Sequence, residues 1–248
     1  PEYFCLRDGR RPTGAPRHQT YEIQPCFSHP DARRIMVSNL LVRIEREYPE
    51  CREFSLSQDD NYAYCTCPAC QAKDEAAGCH TGQLLDFVNA AAAEVEQTYP
   101  DVTIGTLIYQ WTRQPPQGLV PRKNVALQLC SIECCQIHPI DDSECPLNRP
   151  FQEDLAGWAK LTDNIAIWHY NVNFRNYLVP CPNLFNLARN VRYFADNSVR
   201  SIFMQCAGGT TGAEFSDLRN YVVCNLLWDP TRDGAELMAE FLELHYGK

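Results

Sequence analysis

The segment VALQLCSIE, residues 125–133, shows the pattern that decides the fold. Its first part is a short and mostly apolar run, and it ends abruptly in the polar residues Ser131 and Glu133. A short apolar run without strict alternation predicts a strand that is buried on both faces, as in parallel sheets. Polar residues directly after such strands are typical of proteins that build a site from several strand ends.

The same unit, an apolar strand followed by an amphipathic helix, recurs from residue 51 to the end of the chain. The pattern predicts strands at 52–56, 102–108, 125–130, 165–168 and 201–204. It predicts helices, with apolar residues at helical spacing, at 31–48, 81–98, 150–162, 183–197, 214–227 and 234–246. Strands that alternate with helices predict an α/β fold with a parallel sheet and right-handed crossovers.

The ends of the predicted strands favour a (β/α)8 barrel of the TIM type over an open sheet. Each strand ends in residues that can do chemistry or bind polar groups, and no G-x-G-x-x-G phosphate loop is present. A complete barrel needs eight strands, of which only about five are predicted, and residues 1–50 supply just a loop rich in Pro and Arg and a helix. We therefore expect residues 1–248 to be a single C-terminal part of a barrel, with the βα repeats in 51–248. The first strands would lie upstream in the same parent protein and pair with this part.

The composition excludes two classes of partner. The net charge is −9, whereas binding of nucleic-acid phosphates needs clustered Lys and Arg. No apolar run reaches the roughly 18 residues of a membrane-spanning helix. The 14 cysteines suit disulfides in an oxidising compartment, or metal and local structural roles, so the redox compartment stays open.

Three carboxylates follow predicted strands and are candidates for catalysis. Asp59 and Asp60 are adjacent, so that one can face a cleft while the other supports it. Glu133 is flanked by Ile132 and Cys134, and burial there would raise its pKa into the range of a general acid. A solvated turn or a helix cap would also explain the aspartates, and a structural ion pair would explain Glu133.

Aromatic and amide side chains at or near the strand ends are candidates for sugar binding. Flat rings stack on the apolar face of a sugar, and amides bond its hydroxyl groups. Packing in the core or at the rim of the fold is the alternative for each of them. The candidate substrate-binding residues are Asn61, Tyr109, Trp111, His169, Tyr170, Asn171, Asn173 and Gln205.

The segment CTCPAC, residues 65–70, is a candidate for a structural zinc site. It contains C-x2-C, the ligand pair of zinc knuckles, and Cys79 and His80 are nearby. A second C-x2-C is missing, so disulfides or free thiols explain the segment equally well. The candidate zinc ligands are Cys65, Cys67 and Cys70.

Five stretches of the sequence resemble a known bacterial family. They are PEYFCLRDGRR (1–11), FSLSQDDNYAYCTCPACQAKDEA (54–76), LCSIECCQIHPI (129–140), WHYNVNFRNYLVPCPNL (168–184) and FSDLRNYVVCNLLWDP (215–230). The family is the domain of unknown function numbered 4838, part of which is classed as glycoside hydrolase family 163. The resemblance implies a (β/α)8 barrel distantly similar to hexosaminidases and α-glucuronidases, in which this region supplies roughly the fourth to eighth strands.

The resemblance also implies an activity. Characterised members look like endo-β-N-acetylglucosaminidases of complex N-glycans, which act with retention through the acetamido group of the substrate and need no cofactor. By that mechanism we expect Glu133 to be the general acid, Asp60 to orient the acetamido group and Asp59 to support it. The alternative makes Asp59 and Asp60 the working pair and Glu133 a substrate ligand. The family often has Asn-Asp at 59–60, which favours Asp60, and often has Asp at position 169, which puts a carboxylate role there in doubt.

Two other functions fit the sequence. One is a glucuronidase-like inverting exo-glycosidase, in which a water lies between two carboxylates. The other is a non-catalytic, carbohydrate-binding remnant of a barrel. For a member of a bacterial family of this kind we expect a periplasmic or extracellular location and a carbohydrate partner, with no nucleic-acid or membrane partner.

Overall fold

The structure is a computed structural model that describes residues 2–12, 23–210 and 212–247. The predicted loop rich in Pro and Arg lies partly outside these residues. The chain divides into two compact units, Pro1–Leu129 and Cys130–Lys248. The prediction of a single domain over the whole chain stays a prediction.

In its described residues, the first unit contains three parallel strands and three α-helices. Phe54 on β1 lies opposite Ile104 on β2, and Ile104 lies opposite Val125 on β3. The side chains of Phe54, Ile104 and Val125 are all buried, but burial alternates along each strand, and Glu53 and Ser55 are exposed. One face of the sheet is therefore buried and the other only partly, so the prediction of strands buried on both faces is wrong here. The elements are α1 (Pro30–Glu47), β1 (Glu53–Ser55), α2 (Pro68–Ala77), α3 (Thr81–Glu96), β2 (Thr103–Ile108) and β3 (Val125–Cys130).

Two glycines shape the corner between α2 and α3. Gly78 ends α2 in the left-handed conformation, with φ at 69°, which favours glycine. Gly82 lies where the two helices approach closely, because a Cβ atom there would stand 2.4 Å from the backbone oxygen of Lys73. The apolar face of α3, which includes Leu84 and Val88, is consequently buried.

The described part of the second unit contains two parallel strands and four α-helices. Ile167 on β4 lies opposite Ile202 on β5, with a register irregularity between Ile165 and Ala166. Val191 and Leu226 belong to a buried apolar cluster that helices and β5 share. The elements are α4 (Arg149–Trp158), β4 (Ile165–Tyr170), α5 (Leu187–Asp196), β5 (Val199–Gln205), α6 (Ser216–Trp228) and α7 (Gly234–Tyr246).

The structure confirms the α/β class and the parallel direction of the paired strands. Each predicted strand and helix is present, although α4 ends at Trp158 and a 3₁₀ turn at Leu184–Asn186 precedes α5. The helix α2 was not predicted. Closure into an eight-stranded barrel is not established by these strand pairs and stays a prediction. In the described ranges, no helix is long and apolar enough to cross a membrane.

Candidate functional site

The loop after β1 carries Asp59 and Asp60, and a buried glutamine fixes its backbone. The Gln24 amide Nε2 donates to the carbonyl oxygen of Asp59 at 2.7 Å, and Gln24 Oε1 accepts the Asp59 backbone N–H at 2.9 Å. Gln24 is fully buried, whereas Asp59 and Asp60 are exposed. The buried Gln24 side chain therefore fixes the backbone of the loop, while both aspartates are exposed to solvent.

Asn61 completes this support. Its Nδ2 donates to the carbonyl oxygen of Ile23 at 3.1 Å, and its Oδ1 accepts from Gln24 Nε2 and from the Ala63 backbone N–H. Asn61 is buried, and its hydrogen bonds hold the loop in place. Its contact with a substrate stays a prediction. Partial desolvation by the surrounding chain raises the pKa of the Asp59 carboxyl.

The end of β2 lies beside this loop in the same unit. The Nε2 atom of Gln58 donates to the carbonyl oxygen of Tyr109 and to the Thr112 hydroxyl, each at 3.0 Å. The indole Nε1 of Trp111 donates to the carbonyl oxygen of Asn61 at 3.2 Å. These bonds join the predicted residues Tyr109 and Trp111 to the carboxylate loop.

The turn that presents Trp111 is strained. Gln110 has a positive φ of 54°, a conformation that residues with a Cβ rarely adopt. Its buried side-chain Oε1 lacks a hydrogen-bond partner among the described residues. Strain of this kind at the end of a strand is typical of functional sites, where it fixes a side chain in one direction.

The ring of Tyr64 lies next to Trp111 and that of His80 next to Tyr64, and neither was predicted as part of this site. The ring of Tyr64 lies 5.9 Å from that of Trp111, and it stacks on His80 at 3.7 Å. The Nδ1 atom of His80 lies 2.8 Å from the buried carboxylate of Asp74, which fixes the imidazole in place. Tyr64 precedes the cysteine segment and does not directly follow a predicted strand, so it was not among the predicted site residues.

His169 belongs to a buried hydrogen-bond network in the second unit. Its Nδ1 lies 2.7 Å from the Ser131 hydroxyl, and its Nε2 lies 3.3 Å from the Nδ2 of Asn190. Because Asn190 Nδ2 can only donate, Nε2 is the acceptor and Nδ1 carries the proton. Burial lowers the pKa of His169 to about 4, so the ring is neutral at pH 7. With both nitrogens used inside the protein, its role in sugar binding stays a prediction.

The remaining predicted residues around β4 and β5 form a second set of contacts. The Trp168 indole donates to Gln205 Oε1 at 2.7 Å, and the ring of Tyr170 makes an edge contact with Phe174 at 5.6 Å. Asn173 accepts the backbone N–H of Arg175 within an exposed turn. These contacts do not test whether Tyr170, Asn173 or Gln205 binds a sugar, so that role stays a prediction.

Asn171 is fully buried, and its backbone is held on two sides. Its N–H donates to the carbonyl oxygen of Gln205 at 3.3 Å, and its own carbonyl oxygen accepts from Arg219 Nη1 at 3.1 Å. Neither polar atom of its side-chain amide makes a hydrogen bond to the described part of the chain. The same amide does interact with the Cys206 thiol, which opposes the rise in the Cys206 pKa that burial causes. Because Asn171 is fully buried, its contact with a substrate stays a prediction.

Glu133 lies in a turn after β3, where it is half-buried. The turn is closed by a hydrogen bond from the Cys134 N–H to the carbonyl oxygen of Ser131 at 3.0 Å. Glu133 belongs to the second unit and the aspartates to the first. Its role as general acid stays a prediction.

Four buried cysteines of the first unit come together around a common centre. The Sγ atoms of Cys26, Cys65, Cys67 and Cys70 all lie within 4.8 Å of one another and could hold a metal ion. Hydrogen bonds from Cys65 and Cys70 lower the pKa of Cys26, and the bond with Cys26 raises the pKa of Cys65 to about 11. Cys26 was missed in the sequence because it lies far from the other three along the chain.

A second group that could hold a metal consists of Cys135, His138 and Cys145 in the second unit. His138 is exposed, whereas Cys145 is buried. The Cys135 sulfur lies 3.5 Å from His138 Nδ1. The group offers three ligand atoms.

The fold and these sites define an α/β protein whose parallel strands end in acidic, amide and aromatic side chains. The family model DUF4838, a domain of unknown function, matches residues 1–248, and the chain belongs to this family. No curated protein matches the chain. Among solved structures, the chain is similar to the crystal structure of Dispersin B, with 9% identity and a TM-score of 0.40. The similarity covers 82% of this chain, which spans 59% of the length of the Dispersin B chain.

Proposed function

We propose that this chain is part of a glycoside hydrolase that cleaves β-linked N-acetylglucosamine in complex N-glycans with retention. The observation that carries the proposal is the pair of exposed carboxylates, Asp59 and Asp60, on a loop that the buried Gln24 holds at the end of a parallel strand. Catalytic groups need such support, because small displacements reduce rates strongly.

The two adjacent carboxylates suit hydrolysis assisted by the substrate. One carboxylate orients the acetamido group, whose oxygen attacks the anomeric carbon while the bond to the leaving oxygen breaks. The other carboxyl group donates its proton to that oxygen. A water molecule later gives a proton back to this carboxylate and attacks the anomeric carbon from the side on which the leaving group departed, which opens the cyclic intermediate with retention. Partial desolvation raises the pKa of Asp59, which favours Asp59 as the proton donor and Asp60 as the orienting group.

Glu133 keeps the role of general acid in the second form of the proposal. Asp60 then orients the acetamido group and Asp59 supports it. The position of Glu133 directly after a buried strand is consistent with this role. The raised pKa of Asp59 is the reason to place the aspartate pair first.

The aromatic rings next to the aspartates support a sugar as the substrate. Trp111 is tied to the carboxylate loop through Asn61, and Tyr64 extends the ring surface. Partly exposed indole and phenol rings offer the flat apolar surface on which a pyranose stacks.

The test uses the complete parent protein and a glycoprotein with biantennary complex N-glycans. Endo-acting hydrolysis leaves one N-acetylglucosamine on each glycosylated asparagine, and mass spectrometry detects this product. We expect Asp60→Asn and Asp59→Asn each to reduce the rate by at least about 100-fold. Glu133→Gln decides between the two forms, because only a general acid there gives a comparable loss.

The matched control is Asp101→Asn. Asp101 is a partly exposed aspartate that lies before β2, near its amino end, and pairs with Arg52. We expect this variant to keep the activity of the unaltered protein. If Asp60→Asn and Glu133→Gln both keep full activity, the proposed assignment is wrong. An inactive but folded parent protein would favour a carbohydrate-binding role.

A further inference from the structure

We propose that Cys26, Cys65, Cys67 and Cys70 form a tetrathiolate zinc site that fastens the segment before α1 to the start of α2. The proposal is independent of the function of the carboxylate loop. It adds Cys26 to the three cysteines that the sequence suggests and leaves out Cys79 and His80.

The spacing of the sulfur atoms fits a single metal ion. The Cys26 sulfur lies 3.6 Å from that of Cys65, 3.7 Å from that of Cys67 and 3.9 Å from that of Cys70. A tetrahedral ion with Zn–S bonds of about 2.3 Å places neighbouring sulfurs about 3.8 Å apart. A disulfide would need a separation of about 2.0 Å, so these four cysteines are arranged as ligands and not as bonded pairs.

The backbone around the cluster favours thiolates. The Leu6 N–H donates to the Cys65 sulfur at 3.2 Å, and the Ser28 hydroxyl lies 3.2 Å from the Cys70 sulfur. Cys67 is the N-cap of α2, so the positive end of the helix dipole faces the sulfurs. N–H groups directed at sulfur are the outer contacts that orient metal ligands.

The charge of the site is partly offset by one guanidinium. Four thiolates and one Zn²⁺ leave two negative charges, and the four displaced protons pass to solvent. The Arg11 guanidinium interacts with the sulfurs of Cys26, Cys65 and Cys67 and donates to the carbonyl oxygen of Glu2 at 3.2 Å. A buried set of four cysteines with no open position is the form that structural zinc takes.

Cys79 and His80 have other contacts. The Cys79 thiol donates to the carbonyl oxygen of Gln114 at 3.5 Å, and His80 is bonded to Asp74 and stacked on Tyr64. Neither belongs to the group of four sulfurs. Cys79→Ser is therefore a matched control for substitution of a ligand.

The first experiment measures metal bound to the full chain, purified without chelator, by plasma mass spectrometry. We expect at least about one equivalent of zinc per chain. Cys26→Ser should lose one equivalent, whereas Cys79→Ser should lose none. Cys145→Ser tests the group of Cys135 and His138, and it should leave the zinc held by Cys26 unchanged.

A second measurement keeps the proposal testable if Cys26→Ser does not fold. The unaltered chain is exchanged with Co²⁺, and we expect the strong sulfur-to-cobalt absorption and intense visible bands of a tetrahedral thiolate site. Alkylation before and after reduction, followed by mass spectrometry, counts disulfides. A chain without metal whose four cysteines resist alkylation until reduced would overturn the proposal. Iron in place of zinc, or full zinc retention in folded Cys26→Ser, would also overturn it.

Discussion

Gln24 and Asp59 are joined by two hydrogen bonds, in which the Gln24 side chain pairs with the Asp59 backbone N–H and carbonyl groups much as a neighbouring strand would. The residues are far apart in sequence, and one is fully buried while the other is exposed. A side chain thus fixes the backbone from which two carboxylates project. This relationship gives the first prediction.

Replacing Gln24 by Met should destabilise the protein and disorder the carboxylate loop. Met has a similar volume but no amide, so the Asp59 N–H loses its acceptor and the Asp59 carbonyl keeps only the Asn61 N–H, at a cost of about 1–3 kcal/mol. Urea unfolding measures this change. Gln97→Met is the control, because Gln97 is exposed and should change stability by less than about 0.5 kcal/mol. Equal stability of the two variants would contradict the assigned role of Gln24.

Position 110 should tolerate Gly better than any β-branched residue. Gln110 has a φ of 54°, which costs roughly 1–2 kcal/mol for a residue with a Cβ and little for glycine. We expect Gln110→Gly to be more stable than Gln110→Val by at least about 1 kcal/mol. Thermal unfolding of the two variants measures the difference, and an equal midpoint would show that the turn is not strained.

His169 should make the protein less stable in mild acid. Its folded pKa of about 4 is below the unfolded value of about 6.5, so the unfolded chain binds more protons between these values. The stabilising contribution is complete above about pH 6.5 and is lost as the pH falls to about 4, for a total of about 3 kcal/mol.

The measurement for His169 is urea unfolding at several pH values between 4 and 7. His169→Asn can keep the donor to Ser131 but cannot titrate, so the slope of stability against pH should flatten in this interval. His245→Asn is the control, because that histidine is exposed and lies outside the buried network. A steep slope that persists in His169→Asn would assign the acid sensitivity to other groups.

Among the ion-paired residues, we expect substitution of Arg219 to reduce the free energy of unfolding most. It is buried, pairs with Glu214, and donates to the Cys181 carbonyl and the Asn183 side chain at 2.5 Å each. Arg219→Met leaves the Glu214 carboxylate and the Asn183 Oδ1 without this donor, while the Cys181 carbonyl keeps only the Asn183 N–H, so we expect a loss of about 3–5 kcal/mol.

The same comparison includes a conservative variant and a surface pair. Arg219→Lys should recover only part of the stability, because a single ammonium cannot reproduce the guanidinium bonds. Arg189→Met removes the more exposed pair with Asp141 and should cost at most about 1 kcal/mol. Chemical denaturation of the three variants ranks them, and a small effect of Arg219→Met would contradict the buried network.

Most of the fold could be predicted from the sequence because apolar periodicity records burial. The strands at 103–108 and 125–130 and the helix α3 agree with their predicted bounds to within about two residues. The helix α2 was missed because its sequence, PACQAKDEAA, has few large apolar residues and begins inside the cysteine segment. Its formation depends on the N-terminal Pro68 and on contact with α3 at Gly82, which periodicity does not record.

Less of the site could be predicted, because its supports come from distant parts of the chain. Residues that directly follow strands, such as Asp60 and Trp111, were visible as candidates. Gln24 and Cys26 were not, since their partners are known only when the segment before α1 is placed against the loop. His169 was chosen for its position after a strand, yet burial made it part of a hydrogen-bond network.

Gln24 and Cys26 lie two residues apart on one short segment, whose backbone bonds to Tyr3 and Cys5 at 2.8 Å. One residue supports the carboxylate loop and the other belongs to the sulfur cluster. We therefore expect storage with chelators or peroxide to reduce the proposed hydrolase activity of the parent protein gradually, although neither reagent reacts with the aspartates. Batches handled differently would then vary in specific activity, and restoring thiols and metal together should reverse the decline.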